Sequence, residues 1–120
     1  MILLALALAL ASGGQTKLSI DVYPQGGSAG RARHYVLRCG PATGTVPHPA
    51  RACTVLSKLA APFAPVPKDQ ICTQIALGPQ EAIVAGTVAG SRVYARLRLN
   101  DGCQIERWRR VSAAVPGFPA

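Results

Sequence analysis

The chain has 120 residues, a hydrophobic fraction of 49% and a formal net charge of +8. This length corresponds to one domain with a single modest core. Twelve glycines and ten prolines favour strands, turns and loops over a helical bundle. Only six residues are aromatic, so the core must be built mainly from Val, Ile, Leu and Ala.

The chain opens on an unbroken apolar run, MILLALALALA, over residues 1–11. The run is too short to span a bilayer but has the length of the apolar part of a secretory signal. Ala9-Leu10-Ala11 has the small-x-small form of a cleavage site, although no Lys or Arg precedes the run. We interpret it as a signal-peptide remnant, with the mature domain at residues 12–120 and no membrane span in it. The alternative is a buried N-terminal strand or helix.

Two strands are predicted in the first third of the chain. Residues 17–23 (KLSIDVY) alternate apolar and polar side chains, as a half-buried strand does. Residues 33–39 (RHYVLRC) are a second strand candidate, after a flexible connection. Residues 40–49 contain too much Gly and Pro for regular structure.

One main helix is predicted over residues 50–61 (ARACTVLSKLAA). Pro49 fits its first turn, where the missing N–H costs nothing. A single stripe of this helix would carry Ala52, Cys53, Leu56, Leu59 and Ala60. Residues 62–70 (PFAPVPKDQ) end the helix and form an exposed, Pro-rich loop.

A hairpin is predicted over residues 81–100, with its turn at Ala89-Gly90. Its second strand alternates four apolar side chains with Arg92, Tyr94, Arg96 and Arg98.

The C-terminal region has weaker signals. Residues 100–103 (NDGC) predict a turn, residues 104–111 (QIERWRRV) a short helix or a bend, and residues 116–120 a loose tail. The fold class is therefore α+β, an antiparallel sheet of four to five strands with one main helix packed on it in two layers.

Four cysteines in an exported chain indicate disulfides. They allow three pairings, of which the sequential one, Cys39–Cys53 and Cys72–Cys103, is the simplest. A metal site is not expected, because no C-x-x-C occurs and His34 and His48 do not complete a zinc pattern.

An enzyme is not expected either, and neither is a cofactor. The chain holds three Asp and two Glu, and it lacks the common catalytic and phosphate-binding motifs. His34 and His48 are interpreted as an exposed strand residue and a turn or helix-start residue, since neither has a partnered acid and nucleophile in view.

Several stretches together carry a resemblance to a known family. They are LRCGPATGTVPHPARACTVL (37–56), ICTQI (71–75), AGTVAGSRV (85–93) and NDGCQIERW (100–108). In this order the chain resembles the bacterial subtilisin-inhibitor-like proteins. The resemblance implies the sequential disulfide pairing, an antiparallel sheet with one main helix, secretion, and a homodimer formed by sheet packing.

The resemblance also assigns a role to CTQIALGPQ, residues 72–80. It implies that Gln74–Ile75 is the reactive bond, with Gln74 at P1 and Ile75 at P1′, in a reactive loop that includes Cys72, Thr73 and Ala76. The implied partner is a subtilisin-like serine protease. Familiar members carry Met, Lys or Arg at P1, and the uncharged Gln74 argues against a trypsin-type pocket because its buried carboxylate would be left unpaired. Residues 76–79 (ALGP) replace the family's Tyr-Asp-Pro.

A second hypothesis rests on charge. An arginine-rich face would make the chain a non-inhibitory secreted protein that binds an anionic surface or an acidic partner. The residues concerned are Arg92, Arg96 and Arg98, with Arg107, Arg109 and Arg110 around Trp108. Nucleic acid would need the same electrostatics but is not an expected partner of an exported protein. Exposed glutamines (Gln70, Gln74 and Gln80) leave a crosslinking substrate as a third possibility.

Overall fold

The computed structural model describes residues 14–27 and 30–120, so the signal-peptide prediction for residues 1–11 lies outside the described residues. The elements in chain order are β1 (Thr16–Tyr23), β2 (Arg33–Cys39), β3 (Thr43–Gly44), α1 (Pro49–Lys58), β4 (Glu81–Val88), β5 (Ser91–Leu97) and α2 (Gly102–Arg110). The five strands form one sheet in the order β3-β2-β1-β4-β5, and every neighbouring pair is antiparallel. The predicted α+β class is confirmed.

The sheet has one buried and one solvent-facing side, because side chains alternate along each strand. On β1, Leu18, Ile20 and Val22 are buried, whereas Lys17 and Ser19 are exposed. The cross-strand partners of the buried residues are largely buried as well, so the register gathers Leu37, Ala82, Val84, Ala95 and Leu97 on the same side. We call this side the inner face and the opposite side the outer face.

Helix α1 is attached to β2 by the first disulfide. Ala52 and Leu56 are buried, and Cys53 is bonded to Cys39 across a Cα–Cα distance of 5.7 Å. The helix ends at Lys58, earlier than predicted, because Leu59 adopts an extended conformation and its N–H closes back on the Leu56 carbonyl. Ala60, predicted on the apolar stripe, is therefore exposed. The prolines that follow could not have continued the helix.

Strand β3 was not predicted, because its two residues have no pattern of their own. It forms where Thr43 and Gly44 pair with Arg38 and Leu37 of β2. Gly44 has a φ of +135°, and a Cβ there would collide with the Val36 carbonyl. Close approach of two backbones, and not side-chain periodicity, makes this strand.

The C-terminal tail is packed and not loose, which corrects the prediction for residues 116–120. Trp108 is fully buried and donates its Nε1–H to the Val115 carbonyl at 3.0 Å. Phe118 meets the Trp108 ring edge-on at a centroid distance of 6.2 Å. The turn between them contains Gly117, at a φ of +107°. The tail therefore covers the one tryptophan of the chain.

None of the helices in the described ranges, residues 14–27 and 30–120, is long and apolar enough to cross a membrane.

Substituting Gly117 by alanine tests the packed tail. A Cβ at Gly117 would lie 2.7 Å from Val22 Cγ1 and 3.1 Å from Trp108 Cζ2, at a φ that side chains rarely adopt. We expect Gly117→Ala to lower the free energy of unfolding in urea by about 2–3 kcal/mol. Gly27→Ala is the matched control, since Gly27 also has a positive φ but has open space around it. It should lose only the backbone cost of about 1 kcal/mol. Equal losses would contradict the packing of the tail.

Candidate functional site

An exposed segment, residues 71–77, connects the Pro-rich loop to β4 without regular structure of its own. Its side chains are exposed apart from the partly buried Cys72, and three of them are large and apolar. Ile71 is 95% exposed, Ile75 63% and Leu77 46%. Large apolar side chains in water on an ordered segment indicate a contact surface for a partner. We call residues 71–77 the exposed segment.

The exposed segment is attached to the rest of the protein near both of its ends. Cys72 is bonded to Cys103 of α2 across a Cα–Cα distance of 5.4 Å, and the Gly102 N–H donates to the Thr73 carbonyl at 2.9 Å. At the other end, the Leu77 N–H donates to the Leu99 carbonyl at 2.8 Å. Between these ties, residues 74–76 have no backbone hydrogen-bond partner in the described part of the chain. Their donors and acceptors are therefore free to pair with another chain.

The start of α2 is built to approach the exposed segment closely. Asp101 caps the helix by accepting a hydrogen bond from the Gln104 N–H at 2.9 Å, which fixes where the helix begins. Gly102 follows, and a Cβ at this position would collide with the Thr73 hydroxyl. The sequence NDGC thus places a cap, a residue without a side chain and a disulfide partner in succession.

The Gln74 side chain folds back on the exposed segment. Its Nε2 donates to the Cys72 carbonyl at 3.2 Å. The bond is solvent-exposed and neutral, so breaking it in favour of a partner costs little.

Arg107 holds the Pro-rich loop that leads into the exposed segment. Its guanidinium donates to the carbonyls of Ala64 at 3.0 Å, Phe63 at 2.9 Å and Arg96 at 3.1 Å. Burial lowers the pKa of the Arg107 guanidinium from its ordinary value. An arginine nevertheless stays charged at any physiological pH, so the three bonds persist.

The arginine-rich face is partly neutralised, which corrects the prediction based on charge. Arg107 points inward, and Trp108 is buried. Arg96 and Arg98 both approach Glu81, at 3.8 and 3.6 Å, and Arg109 approaches Glu106 at 3.8 Å. The six arginines that are close in sequence therefore do not form one free cationic surface.

The predicted reactive-loop residues Cys72, Thr73, Gln74, Ile75 and Ala76 lie together in the exposed segment. Asp101 joins the two sulfurs of Cys72 and Cys103 within 4.8 Å, but sulfurs in a disulfide are not thiolate ligands for a metal. His34 is exposed and contacts Asp21 at 2.8 Å on the outer face, and His48 stands at the start of α1, as predicted.

Two parts of this site, Ile71 and Gly102, have no local signal in the sequence. Ile71 precedes the third cysteine, and no local pattern reveals that its side chain is 95% exposed. Gly102 looked like an ordinary turn residue in NDGC, and only the three-dimensional approach of Thr73 explains it.

The fold is thus a two-layer α+β arrangement that presents an exposed segment attached to α2 by a disulfide. Residues 10–100 match the family described as subtilisin inhibitor-like. The chain belongs to this family, whose members are protease inhibitors and not enzymes.

The fold is similar to that of a solved inhibitor. Sermetstatin of Streptomyces caespitosus, in its crystal structure in complex with Bacillus licheniformis subtilisin, is 23% identical with a TM-score of 0.53. The match covers 82% of this chain and 97% of sermetstatin. At this identity the likeness shows the shared fold. No curated protein matches the chain.

The close approach of Gly102 to Thr73 can be tested by a rescue experiment. Gly102→Ala should push Thr73 away and break the bond from the position-102 N–H to the Thr73 carbonyl. We expect amide exchange at position 102 to become about tenfold faster, since a lost bond of about 1.4 kcal/mol corresponds to that factor. Thr73→Ala added to Gly102→Ala removes the colliding hydroxyl and should restore slow exchange. If the double variant exchanges as fast as Gly102→Ala, the collision is not the cause.

Proposed function

We propose that the protein is a secreted inhibitor of subtilisin-like serine proteases that binds them as a substrate does, with Gln74–Ile75 as the reactive bond. The observation that carries the proposal is the exposed segment itself. Among residues 14–27 and 30–120, the backbone of residues 74–76 finds no hydrogen-bond partner, and it lies between a disulfide on one side and a backbone hydrogen bond on the other. Family membership and the subtilisin bound to sermetstatin support the choice of target class.

Binding would proceed by addition of an extended strand. A segment with free backbone groups pairs with the substrate groove of a protease, and the alternate side chains enter pockets. Gln74 would enter the pocket of the residue before the scissile bond, after its Nε2 leaves the Cys72 carbonyl. The affinity depends on how well the exposed segment is already ordered in the free protein, since a flexible loop loses conformational entropy on docking. The Cys72–Cys103 bond, the Gly102–Thr73 bond and the Leu77–Leu99 bond supply that order.

Resistance to cleavage follows from the same ties. If the Gln74–Ile75 bond is cut, the new carboxyl end remains attached through Cys72 and the new amino end through Leu77. Both ends stay near the position in which the bond can re-form. Re-ligation therefore competes with release, and the segment is retained as an inhibitor.

The remaining expectations belong to this proposal. Two disulfides and family membership support secretion, with residues 1–11 removed and a mature domain at residues 12–120. The resemblance also predicts a homodimer formed by sheet packing, which sedimentation of residues 12–120 tests directly.

Titration of subtilisin with oxidised protein (residues 12–120) tests the reactive bond. We expect stoichiometric inhibition that Gln74→Ala weakens by about tenfold or more, because binding energy concentrates in a few anchoring side chains. Gln25→Ala, at an exposed position between β1 and β2, is the matched control and should inhibit as the parent does. Cys72→Ala combined with Cys103→Ala should turn the protein into a substrate that subtilisin cleaves. No inhibition by the oxidised parent chain would refute the proposed function.

Exchanging the P1 residue tests the predicted selectivity. The parent should not inhibit trypsin, because the amide of Gln74 would leave the carboxylate of the trypsin specificity pocket unpaired. Gln74→Arg supplies the missing charge and should inhibit trypsin, whereas Gln70→Arg, just outside the exposed segment, should not. Trypsin inhibition by the Gln70→Arg variant would place the reactive bond elsewhere.

A further inference from the structure

Strand β5 forms an open edge of the sheet. It pairs with β4 on one side, and no strand lies on its other side among the described residues. Natural sheets usually block such an edge, because its unpaired backbone groups can pair with another chain. The opposite edge is β3, which has only two residues, whereas β5 has seven, Ser91–Leu97. The edge that is long enough to accept a partner strand is therefore that of β5.

The turn between β4 and β5 decides which backbone groups face outward. Its two residues, Ala89 and Gly90, both have a positive φ, 49° and 84°, as in a hairpin turn of type I′. The pair that closes this turn is Val88 and Ser91. Backbone groups alternate along an antiparallel pair, so the odd-numbered residues of β5 direct their N–H and C=O groups at β4. The even-numbered residues direct theirs away from the sheet.

Two of these even-numbered residues keep their outward groups without a partner. The Arg96 carbonyl is occupied, because it accepts a hydrogen bond from the Arg107 guanidinium at 3.1 Å. The N–H and C=O groups of Arg92 and Tyr94 find no hydrogen-bond partner outside the sheet in the described part of the chain. Their donors and acceptors have the spacing of an antiparallel ladder, which an extended peptide can match.

An apolar groove runs along the same edge. Its volume is about 600 Å³, within the range of ligand-binding clefts. The consecutive residues 92–94 all line it, and since neighbours along a strand point to opposite sides, the groove follows the edge of the sheet and not one face. Its apolar wall comes from the region of α1, the Pro-rich loop and the hairpin, namely Leu56, Leu59, Pro62, Phe63, Val88 and Val93. Alternate side chains of a strand added to β5 would enter this groove.

Charge selects the other side chains of an added strand. No acid lines the groove among the described residues, and Arg92 makes no salt bridge with any of them. Residues directly opposite each other in an antiparallel pair point to the same side, so the partner residues opposite Arg92 and Tyr94 lie beside the Arg92 guanidinium. Acidic residues would pair with it there. A second copy of β5 is a poorer partner, because its own even-numbered residues include arginines and no acid.

We propose that the open edge of β5 binds an extended peptide segment as an added antiparallel strand, with apolar side chains in the groove alternating with acidic side chains beside Arg92. The added strand extends the sheet in its own plane, so a homodimer formed by packing of outer faces leaves this edge accessible. The exposed segment is attached near the other end of β5, where the Leu77 N–H donates to the Leu99 carbonyl. Binding at the edge therefore does not depend on the proposed function.

Hydrogen exchange of the oxidised protein (residues 12–120) with an excess of the synthetic peptide ELEVELE tests the proposal. The amides of Arg92 and Tyr94 should exchange at least about tenfold more slowly with the peptide, whereas the Val93 amide, which faces β4, should change little. The peptide EELLVEE has the same composition without the alternation and should not protect these two amides. Unchanged exchange at Arg92 and Tyr94 in the presence of ELEVELE would overturn the proposal.

N-methylated peptides test the geometry of the added strand. In the proposed pairing, the N–H groups of the acidic residues point at β5 and those of the apolar residues point away from it. N-methylation of the third and fifth residues of ELEVELE, both Glu, should weaken binding at least about tenfold. N-methylation of the second and sixth residues, both Leu, is the matched control and should change binding by less than about threefold. Equal weakening by the two modifications would refute the antiparallel strand.

Substitution of Ala60 by glutamate tests the groove. Ala60 lines the groove and is exposed, so a charged side chain there should weaken binding of ELEVELE at least about tenfold. Ala50→Glu adds the same charge at an exposed position of α1 outside the groove and should change binding by less than about threefold. Equal weakening by both variants would reduce the effect to net charge and contradict the proposal. Slow exchange of the Arg92 and Tyr94 amides in the free protein, lost on dilution, would assign the edge to a second copy of the chain instead.

Discussion

The junction between the exposed segment and the start of α2 is the constraint on which the rest of the site depends. An exposed loop with three large apolar side chains would normally collapse onto the protein or move freely, and both would make it a poor ligand. The Cys72–Cys103 bond and the Gly102–Thr73 bond prevent this by fixing the loop to a helix whose first residue is set by the Asp101 cap. The cysteine end of the loop is therefore fixed to the helix, and the other end is fixed by the Leu77–Leu99 bond.

Helix α2 can support the exposed segment because one of its sides contacts the loops while another side is buried in the core. Cys103 and Arg107 are four residues apart and so lie on one side of the helix, where they hold the exposed segment and the Pro-rich loop before it. Ile105 and Trp108 are three residues apart on another side and are buried in the core. The C-terminal tail packs over Trp108, so the exposed segment, the Pro-rich loop and the tail all contact one nine-residue helix.

Elements with their own side-chain pattern were predictable, and elements made by distant contacts were not. Alternation predicts β1 and β5, the turn at Ala89-Gly90 adds β4 as the other strand of the hairpin, and the apolar stripe and Pro49 predict α1; β2 is predicted only as a strand candidate. Strand β3 exists only through pairing with β2, and the tail is ordered only because Phe118 reaches Trp108. The segment around Gln74 was assigned through the family resemblance. The hydrogen bond from the Gly102 N–H to the Thr73 carbonyl joins residues that are far apart in sequence, and side-chain periodicity does not predict such a contact.

Charge illustrates the same limit. Arg107, Arg109 and Arg110 are neighbours in sequence but point in different directions around a helix. The Arg107 guanidinium donates hydrogen bonds to three carbonyl groups of the protein. Lys17, Arg38 and Arg92 are far apart in sequence, yet the sheet register aligns them. The chain thus has cations without a salt bridge in the described ranges on the outer face of the sheet, and large apolar side chains exposed on the segment at residues 71–77. Salt screens contacts to the exposed charges far more than burial of apolar side chains, so the two surfaces respond differently to ionic strength.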